Sequence, residues 1–276
     1  MIKVSIVTPT LSDPSEFVSM LLERFFGDQN LNHEKLLSQF EIVIVTPKEN
    51  NFEKNNFRNL QISLAIDKGN GIYAALNTGV EAAKGLYIIV INTDDFIDIN
   101  KLLEVANQDL KGKSIFYGDT LIHDDVSPDI ISVSGSRNPD TISDLRMPGS
   151  HQAQLIPRSE FQRLGGFRTQ VPFGPLRVSL KYASDLDFYC RSFKSGTEWK
   201  NIEGFTAHQR LGGTTSKHWL RTTTEILLCH FIHANDSNSR LRLYSKTYRG
   251  ASRFHYPRQR ARRANTKNDR QRKLEI

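Results

Sequence analysis

The feature that most constrains this chain is an uninterrupted apolar run, Leu86-Tyr87-Ile88-Ile89-Val90-Ile91, that ends on Asn92-Thr93-Asp94-Asp95. A short stretch with no polar alternation suits a strand covered on both faces, as the strands of parallel sheets are. Ligands of open α/β sheets gather just beyond the carboxyl ends of such strands. Adjacent carboxylates there are able to hold a hard divalent cation, and the cation a phosphate. The run therefore predicts a parallel sheet and metal-assisted chemistry on a phosphorylated substrate.

The rest of the first half agrees with that frame. Val4 to Thr8, Glu41 to Thr46 and Leu60 to Ile66 read as strands. A helix start is written in Asp13-Pro14-Ser15-Glu16, with Val18, Leu21, Leu22 and Phe25 as its stripe. A second helix carries Ile72, Leu76, Val80 and Ala83 on one face, and a third is capped by Asp98 with Leu102, Val105 and Ala106 inward. Strands alternating with helices imply a doubly wound sheet. No G-x-G-x-x-G turn follows the first strand and no P-loop is present, so dinucleotide and ATP-hydrolysing readings lose their anchors. Later, Ser114 to Tyr117 and Thr120 to His123 read as short strands, Met147 to Pro157 as loop and strand, and Ser184 to Phe193 as a helix.

Charge divides the chain. Residues 240–276 hold 13 Lys and Arg against Asp269 and Glu275, so the net +7 comes from this tail and the body is mildly acidic. Cys190 and Cys229 make neither a disulfide framework nor a metal-ligand spacing and read as buried thiols in a reducing cytoplasm. The amino terminus lacks a signal-peptide pattern, and the run from Ile226 to Ile232 is too short to span a bilayer.

Three groups of residues in order carry a resemblance: Asp67-Lys68-Gly69-Asn70-Gly71-Ile72-Tyr73 running on to Asn77-Thr78-Gly79, then Ala83-Lys84-Gly85, then Asn92-Thr93-Asp94-Asp95. His151-Gln152-Ala153, the segment from Ser184 to Arg191, and Gly212-Gly213-Thr214-Thr215-Ser216 continue it. The pattern resembles the inverting family-two glycosyltransferases of the GT-A fold, and among them the bacterial enzymes of lipopolysaccharide and surface polysaccharide synthesis. The resemblance implies an α/β fold with a mostly parallel central sheet flanked by helices. It covers roughly residues 1–216 as one transferase domain, and leaves 217–276 as a helical, basic extension.

The resemblance also implies roles. Asp95 binds Mn²⁺ or Mg²⁺, and Asp94 contacts ribose or the metal; the cation is a Lewis acid for the departing diphosphate. Thr8, Pro9 and Thr10 form a nucleotide wall, Asp67 holds the nucleoside, and Asn77 points back toward the donor from its helix. Asp185, six residues before Arg191, is the candidate base that takes the acceptor proton, and its place at a helix start favours its ionised form. Asp187 is its rival, on a different side of the helix, and belongs otherwise to the acceptor side with His151 and Gln152. His208, before the Gly212-Gly213 turn, is a candidate third metal ligand. As bland alternatives, Asp94 and Asp95 are turn acids, Asp185 a helix cap, Asn77 a solvated amide and the histidines packed side chains. One departure stands out: where similar enzymes carry an acid-rich turn after the second strand, this chain has Thr46-Pro47-Lys48-Glu49, which leaves the nucleotide open.

The implied partners are a nucleotide-sugar donor and a saccharide or lipid-linked saccharide acceptor. Arginines interleaved with Tyr244, Tyr248, Phe254 and Tyr256 in residues 240–276 suit an anionic membrane surface better than nucleic acid, which places the protein in the cytoplasm, peripheral to the membrane. The alternatives to an active transferase are a non-catalytic transferase-like protein and a polyanion binder acting through the tail.

Overall fold

The computed structural model describes residues 2–14, 18, 38–47, 60–93, 95–97, 101–102, 114–123, 130–134, 147–210 and 218–234. The parallel half of the sheet is built from β1 (Val4–Pro9), β2 (Phe40–Thr46), β3 (Gln61–Ile66) and β4 (Tyr87–Val90), in the order β3-β2-β1-β4. The sheet continues through β8 (Gln154–Pro157), β6 (Ile115–His123), β11 (Trp199–Arg210) and β5 (Phe96–Ile97), with β7 (Ile130–Ser134) on β6. Among the described residues only β5, β7 and β8 of the sheet's nine strands run against the rest, so the mixed sheet is mostly parallel.

From Tyr87 to Ile91 the opening run is buried on both faces, as its composition predicts, whereas Leu86 is 41% exposed. Ile88 and Val90 join one core cluster with Val7, Val43 and Val45, while Tyr87, Ile89 and Ile91 join the other with Ile6 and Ile42. Alternate side chains of each strand thus feed opposite layers. Helix α1 (Ile72–Ala82) covers one layer through Tyr73, Leu76 and Val80. Gly79 lets it lie close: a Cβ there would come within 2.4 Å of Val7 Cγ1 and 2.6 Å of Val45 Cγ2. The inward face differs from the expected one, because Ile72 is 42% exposed and Tyr73 takes its place. Both residues fit a helical stripe, and the sequence period does not choose between neighbours at a helix end.

The remaining described elements are a 3-10 turn (His151–Ala153), α2 (Arg158–Arg163), a hairpin of β9 (Gln170–Phe173) and β10 (Leu176–Ser179), α3 (Ser184–Lys194) and α4 (Trp219–His233). The two short strands expected at 114–123 are one, and the hairpin was not foreseen. Of the helices expected after Asp13 and Asp98, only Pro14, Val18, Lys101 and Leu102 lie among the described residues. Helix α4, expected to open a separate extension, packs on α3, and its Cys229 sits in the same core cluster as Val7. Residues 235–276 lie outside the described residues. Among those described, no helix is long and apolar enough to cross a membrane.

Candidate active site

The parallel register brings Thr8, Pro9, Thr10 and Asp67 to one edge. Pro9 lies opposite Val45, Thr46 opposite Ile66, and Val7 opposite Val90, so the carboxyl ends of four strands meet. Thr8 is fully buried with its Oγ1 lacking a hydrogen-bond partner. Thr10 donates its N–H to Val45 O at 2.8 Å, and its hydroxyl accepts from Ser12 N at 3.1 Å. Asp67 donates its N–H to Thr46 O at 2.8 Å and accepts from Gly69 N through Oδ1 at 3.0 Å. Gly69, at φ 77, makes that turn without a Cβ penalty. Lys48 and Glu49, the altered turn after β2, and Asp94 lie outside the described residues.

Asn77 lies on α1. Its amide donates to Phe167 O at 2.8 Å and accepts from Phe167 N at 2.9 Å, as a neighbouring strand would. Both ends of the side chain pin the 165–168 turn to α1, and the residue also lines a cavity with Lys68 and Asn70.

Beyond β4, Asp95 is 3% exposed and its Oδ2 accepts from Asn92 Nδ2 at 3.0 Å and Gln152 Nε2 at 2.7 Å. The amide oxygens of both partners, Asn92 Oδ1 and Gln152 Oε1, are buried without a hydrogen-bond partner. A buried carboxylate beside two such oxygens is a donor set that fits a hard cation. His208, expected as a further ligand, pairs with Phe96 next to Asp95 in the sheet; its Nδ1 is 2.8 Å from His123 Nε2 and its ring stacks on Phe96 at 4.1 Å between centroids. Among the described residues no group of three or more His, Cys, Asp or Glu is arranged to hold a metal.

Asp185 lies in the first turn of α3, where no side chain caps the helix. Its Oδ1 accepts from Tyr73 Oη at 2.9 Å and from Leu186 N at 2.9 Å, and its Oδ2 lies 3.1 Å from His151 Nδ1. An ionised carboxylate only accepts, so Nδ1 carries the hydrogen in this pair. His151 Nε2, on the far side of the ring, is buried without a hydrogen-bond partner. Burial works to raise the pKa of Asp185, but the bonds and charge of His151, with the Tyr73 and Leu186 donors, outweigh it and hold the carboxyl below its ordinary value. Tyr73 responds in the opposite sense: burial first, then the Asp185 charge, pushes its phenol well above 10.0.

Asp187 has a different fate. It is fully buried, with Oδ2 accepting from Arg168 Nε and Arg191 Nε, each at 2.9 Å. Oδ1 takes a short bond from Arg168 Nη2 and lies 2.9 Å from His233 Nε2. A carboxylate so enclosed has no access to an acceptor, which corrects its placement on the acceptor side and ends its rivalry with Asp185. Arg191 also donates to Gly166 O at 2.6 Å, so the cluster ties α3 to the 165–168 turn and to α4.

His151 and Gln152 are successive residues of the 3-10 turn, and they reach the two remaining acids: His151 meets Asp185 and Gln152 meets Asp95. Residues 34–170 match the model of glycosyl transferase family 2. The matched segment is just short of half the chain and ends before α3. No curated protein sequence matches. Among solved structures, TarS 1–349 from S. aureus in complex with UDP-GlcNAc is similar at 14% identity and a TM-score of 0.56, over 90% of this chain and 72% of that one. A longer TarS structure is spanned over only 43% of its length. The mannosyltransferase PcManGT from Pyrobaculum calidifontis, in complex with GDP-Man and Mn²⁺, gives 14% identity and a TM-score of 0.57 over 89% of this chain and 69% of that one. GalNAc-T7 with UDP, GalNAc and Mn²⁺ gives 14% and 0.50 over 82% and 48%.

The fold is the GT-A glycosyltransferase fold, and the family-2 match over residues 34–170 agrees with it. Within that GT-A frame, sequence reasoning missed Tyr73 and Arg168. Tyr73 was passed over because the helical stripe was started one residue early, on Ile72. Arg168 follows the Gly165-Gly166 turn, and no periodic signal marks it as the partner of an acid 19 residues on.

Proposed function

We propose that this protein is an inverting glycosyltransferase that moves a sugar from a nucleotide-diphosphate donor to a saccharide or lipid-linked saccharide in surface polysaccharide synthesis. The observation that carries the reading is the 3-10 turn whose adjacent residues bond Asp95 and Asp185. It couples the acid at the donor edge to an acid suited to proton transfer. Residues 1–216 act as the transferase domain and 217–276 as its extension.

The donor lies against Thr8, Pro9, Thr10 and Asp67 at the strand ends. Asp95, with Asp94, holds Mn²⁺ or Mg²⁺; when bound, the cation supplies Lewis-acid stabilisation to the leaving diphosphate. Asp185 takes the proton of the acceptor hydroxyl while that oxygen forms its bond to the anomeric carbon. The bond from that carbon to the diphosphate breaks on the opposite face, and its electron pair leaves with the diphosphate. His151 and Tyr73 fix the carboxylate for that transfer and keep it ionised at neutral pH.

A thermal-shift screen of UDP, GDP, dTDP and CMP sugars with Mn²⁺ identifies the donor, since a ligand at 100 times its Kd adds about 2.7 kcal/mol of stability. With that donor, Asp185→Asn is expected to lower turnover by roughly 10²–10⁴-fold while the donor-induced shift persists. Asp95→Ala is expected to abolish both turnover and the metal dependence of the shift. Normal turnover in purified Asp185→Asn would falsify the base assignment; donor hydrolysis indifferent to Mn²⁺ would remove the metal.

A further inference from the structure

Helix α4 turns its polar side inward. Thr222, Glu225, Cys229, His230 and His233 are buried, whereas Trp219, Leu220 and Phe231 are 44%, 65% and 49% exposed. The reason lies in its anchors. Glu225 Oε2 accepts the N–H groups of Lys181 and Tyr182 at 2.8 and 2.7 Å, and His233 reaches the Asp187 cluster. Satisfying those polar groups commits the helix to one rotation: Ile226, Leu228 and Ile232 pack against the core beside them, while Leu220 and Phe231 are left outside. Leu220 and Phe231, eleven residues apart, fall on the same side.

That stripe continues onto a second element. The Phe231 ring lies 5.6 Å from Phe173 of β9, which pairs across the hairpin with Leu176; Phe173 is 42% and Leu176 63% exposed. The exposed charges carried by these two elements have one sign. Residues 170–182 contain no acid, and Arg177 and Lys181 of that stretch are exposed. On α4 the single acid, Glu225, is buried and ion-paired at 3.2 Å with Arg221, which is 50% exposed. The chain leaving Ala234 then runs into the 13 Lys and Arg of residues 240–276.

We infer that this face docks on an anionic lipid bilayer. Phe173, Leu176, Leu220 and Phe231 enter the boundary between headgroups and acyl chains, while Arg177 and Lys181 meet lipid phosphates. The partner has to offer an apolar phase and a plane of negative charge together. Nucleic acid lacks the first, and a second copy of this chain would set cations against cations. The basic segment follows the same face in the sequence and adds attraction to the same anionic plane. The inference stands apart from the proposed sugar transfer.

The test uses the full chain with vesicles of phosphatidylcholine, with and without phosphatidylglycerol. Binding is read by sedimentation and by tryptophan emission. Trp199 is only 7% exposed, so a blue shift on binding reports Trp219. The expected result is preferential binding to anionic vesicles with a blue shift. The double variant Leu176→Ser/Leu220→Ser is expected to weaken binding at least about tenfold at equal salt, with an unchanged melting temperature because both side chains are already solvated. Absence of vesicle binding overturns the inference. Binding that survives the double variant without a blue shift assigns attachment to the basic segment alone and also overturns it. So does a dimer that the double variant dissociates in the absence of lipid binding. No sugar transfer is measured, so failure here leaves the proposed function standing.

Discussion

Asp185 and Asp187 sit two residues apart on the first turn of α3, and their environments are opposite. Successive helical positions differ by about 100°, so the pair points to different sides of one helix. Asp187 is enclosed by Arg168, Arg191 and His233 and has no exposed surface. Asp185 keeps 14% of its side chain exposed and is held by a phenol, an imidazole and one backbone amide. Both carboxyls titrate below their ordinary value, by different means. At Asp187 burial is outweighed by the His233 and Arg168 bonds and by the charges of the two arginines. A depressed pKa therefore does not mark a base; what separates the two acids is whether cations have already consumed the charge. Asp187 is part of the frame, and Asp185 is left with a charge to use.

The strongest way to break this comparison is Asp187→Asn. It leaves Arg168 and Arg191 facing a neutral group in a buried site, and truncating one side of a buried ion pair costs roughly 3–5 kcal/mol. In a domain of this size that lowers Tm by roughly 10 °C. Calorimetry of Asp187→Asn beside Asp185→Asn separates the roles. The first is expected to lose stability and the second to hold within about 1 kcal/mol while losing transfer. Equal destabilisation of both variants would erase the distinction drawn between them.

That distinction was only half legible in the sequence. The helix, both acids and their divergence were readable, because helical geometry fixes which residues share a side. Which side meets the cleft depended on Arg168 and His233, whose positions are set by the 165–168 turn and by the rotation of α4. Neither has a periodic signature. The same holds for α4: the sequence marks a helix there, and its rotation is set by the buried anchors Glu225 and His233. The strand from Tyr87 to Val90 was readable throughout, since a run of buried apolar residues needs no partner to be named. The bonds of Asn77 to the 165–168 turn were not legible, because an amide on a helix has the same composition whether it meets a ligand or a neighbouring turn.

The acid side of the pH scale sharpens the comparison further. A carboxyl whose folded pKa is depressed stabilises the protein above its unfolded value, near 3.9. That contribution fades as pH falls from there through the folded value, with a limiting slope of about 1.4 kcal/mol per pH unit for each proton taken up. Denaturation at pH 6 and pH 3 should show wild type losing stability across that range. The gap between wild type and Asp187→Asn should narrow, because the charge that distinguishes them is being titrated. A gap of constant size would mean that Asp187 is not the charged centre of its cluster.

Tyr73→Phe gives the smallest effect and the most specific one. Removing the hydroxyl takes one donor from Asp185 Oδ1 and leaves the ring in place against Phe167, at 5.3 Å between centroids. The lost hydrogen bond is worth about 1 kcal/mol of stability, against the several expected at Asp187. Its signature lies in the pH profile. The Tyr73 bond favours the ionised form of Asp185, so without it the pKa of Asp185 rises. The acid limb of kcat/KM is expected to move to higher pH, with the donor-induced thermal shift unchanged. A purely structural tyrosine would lower stability and leave that limb where it was. The direction of the limb therefore decides whether the bond tunes the proposed base or only packs beside it.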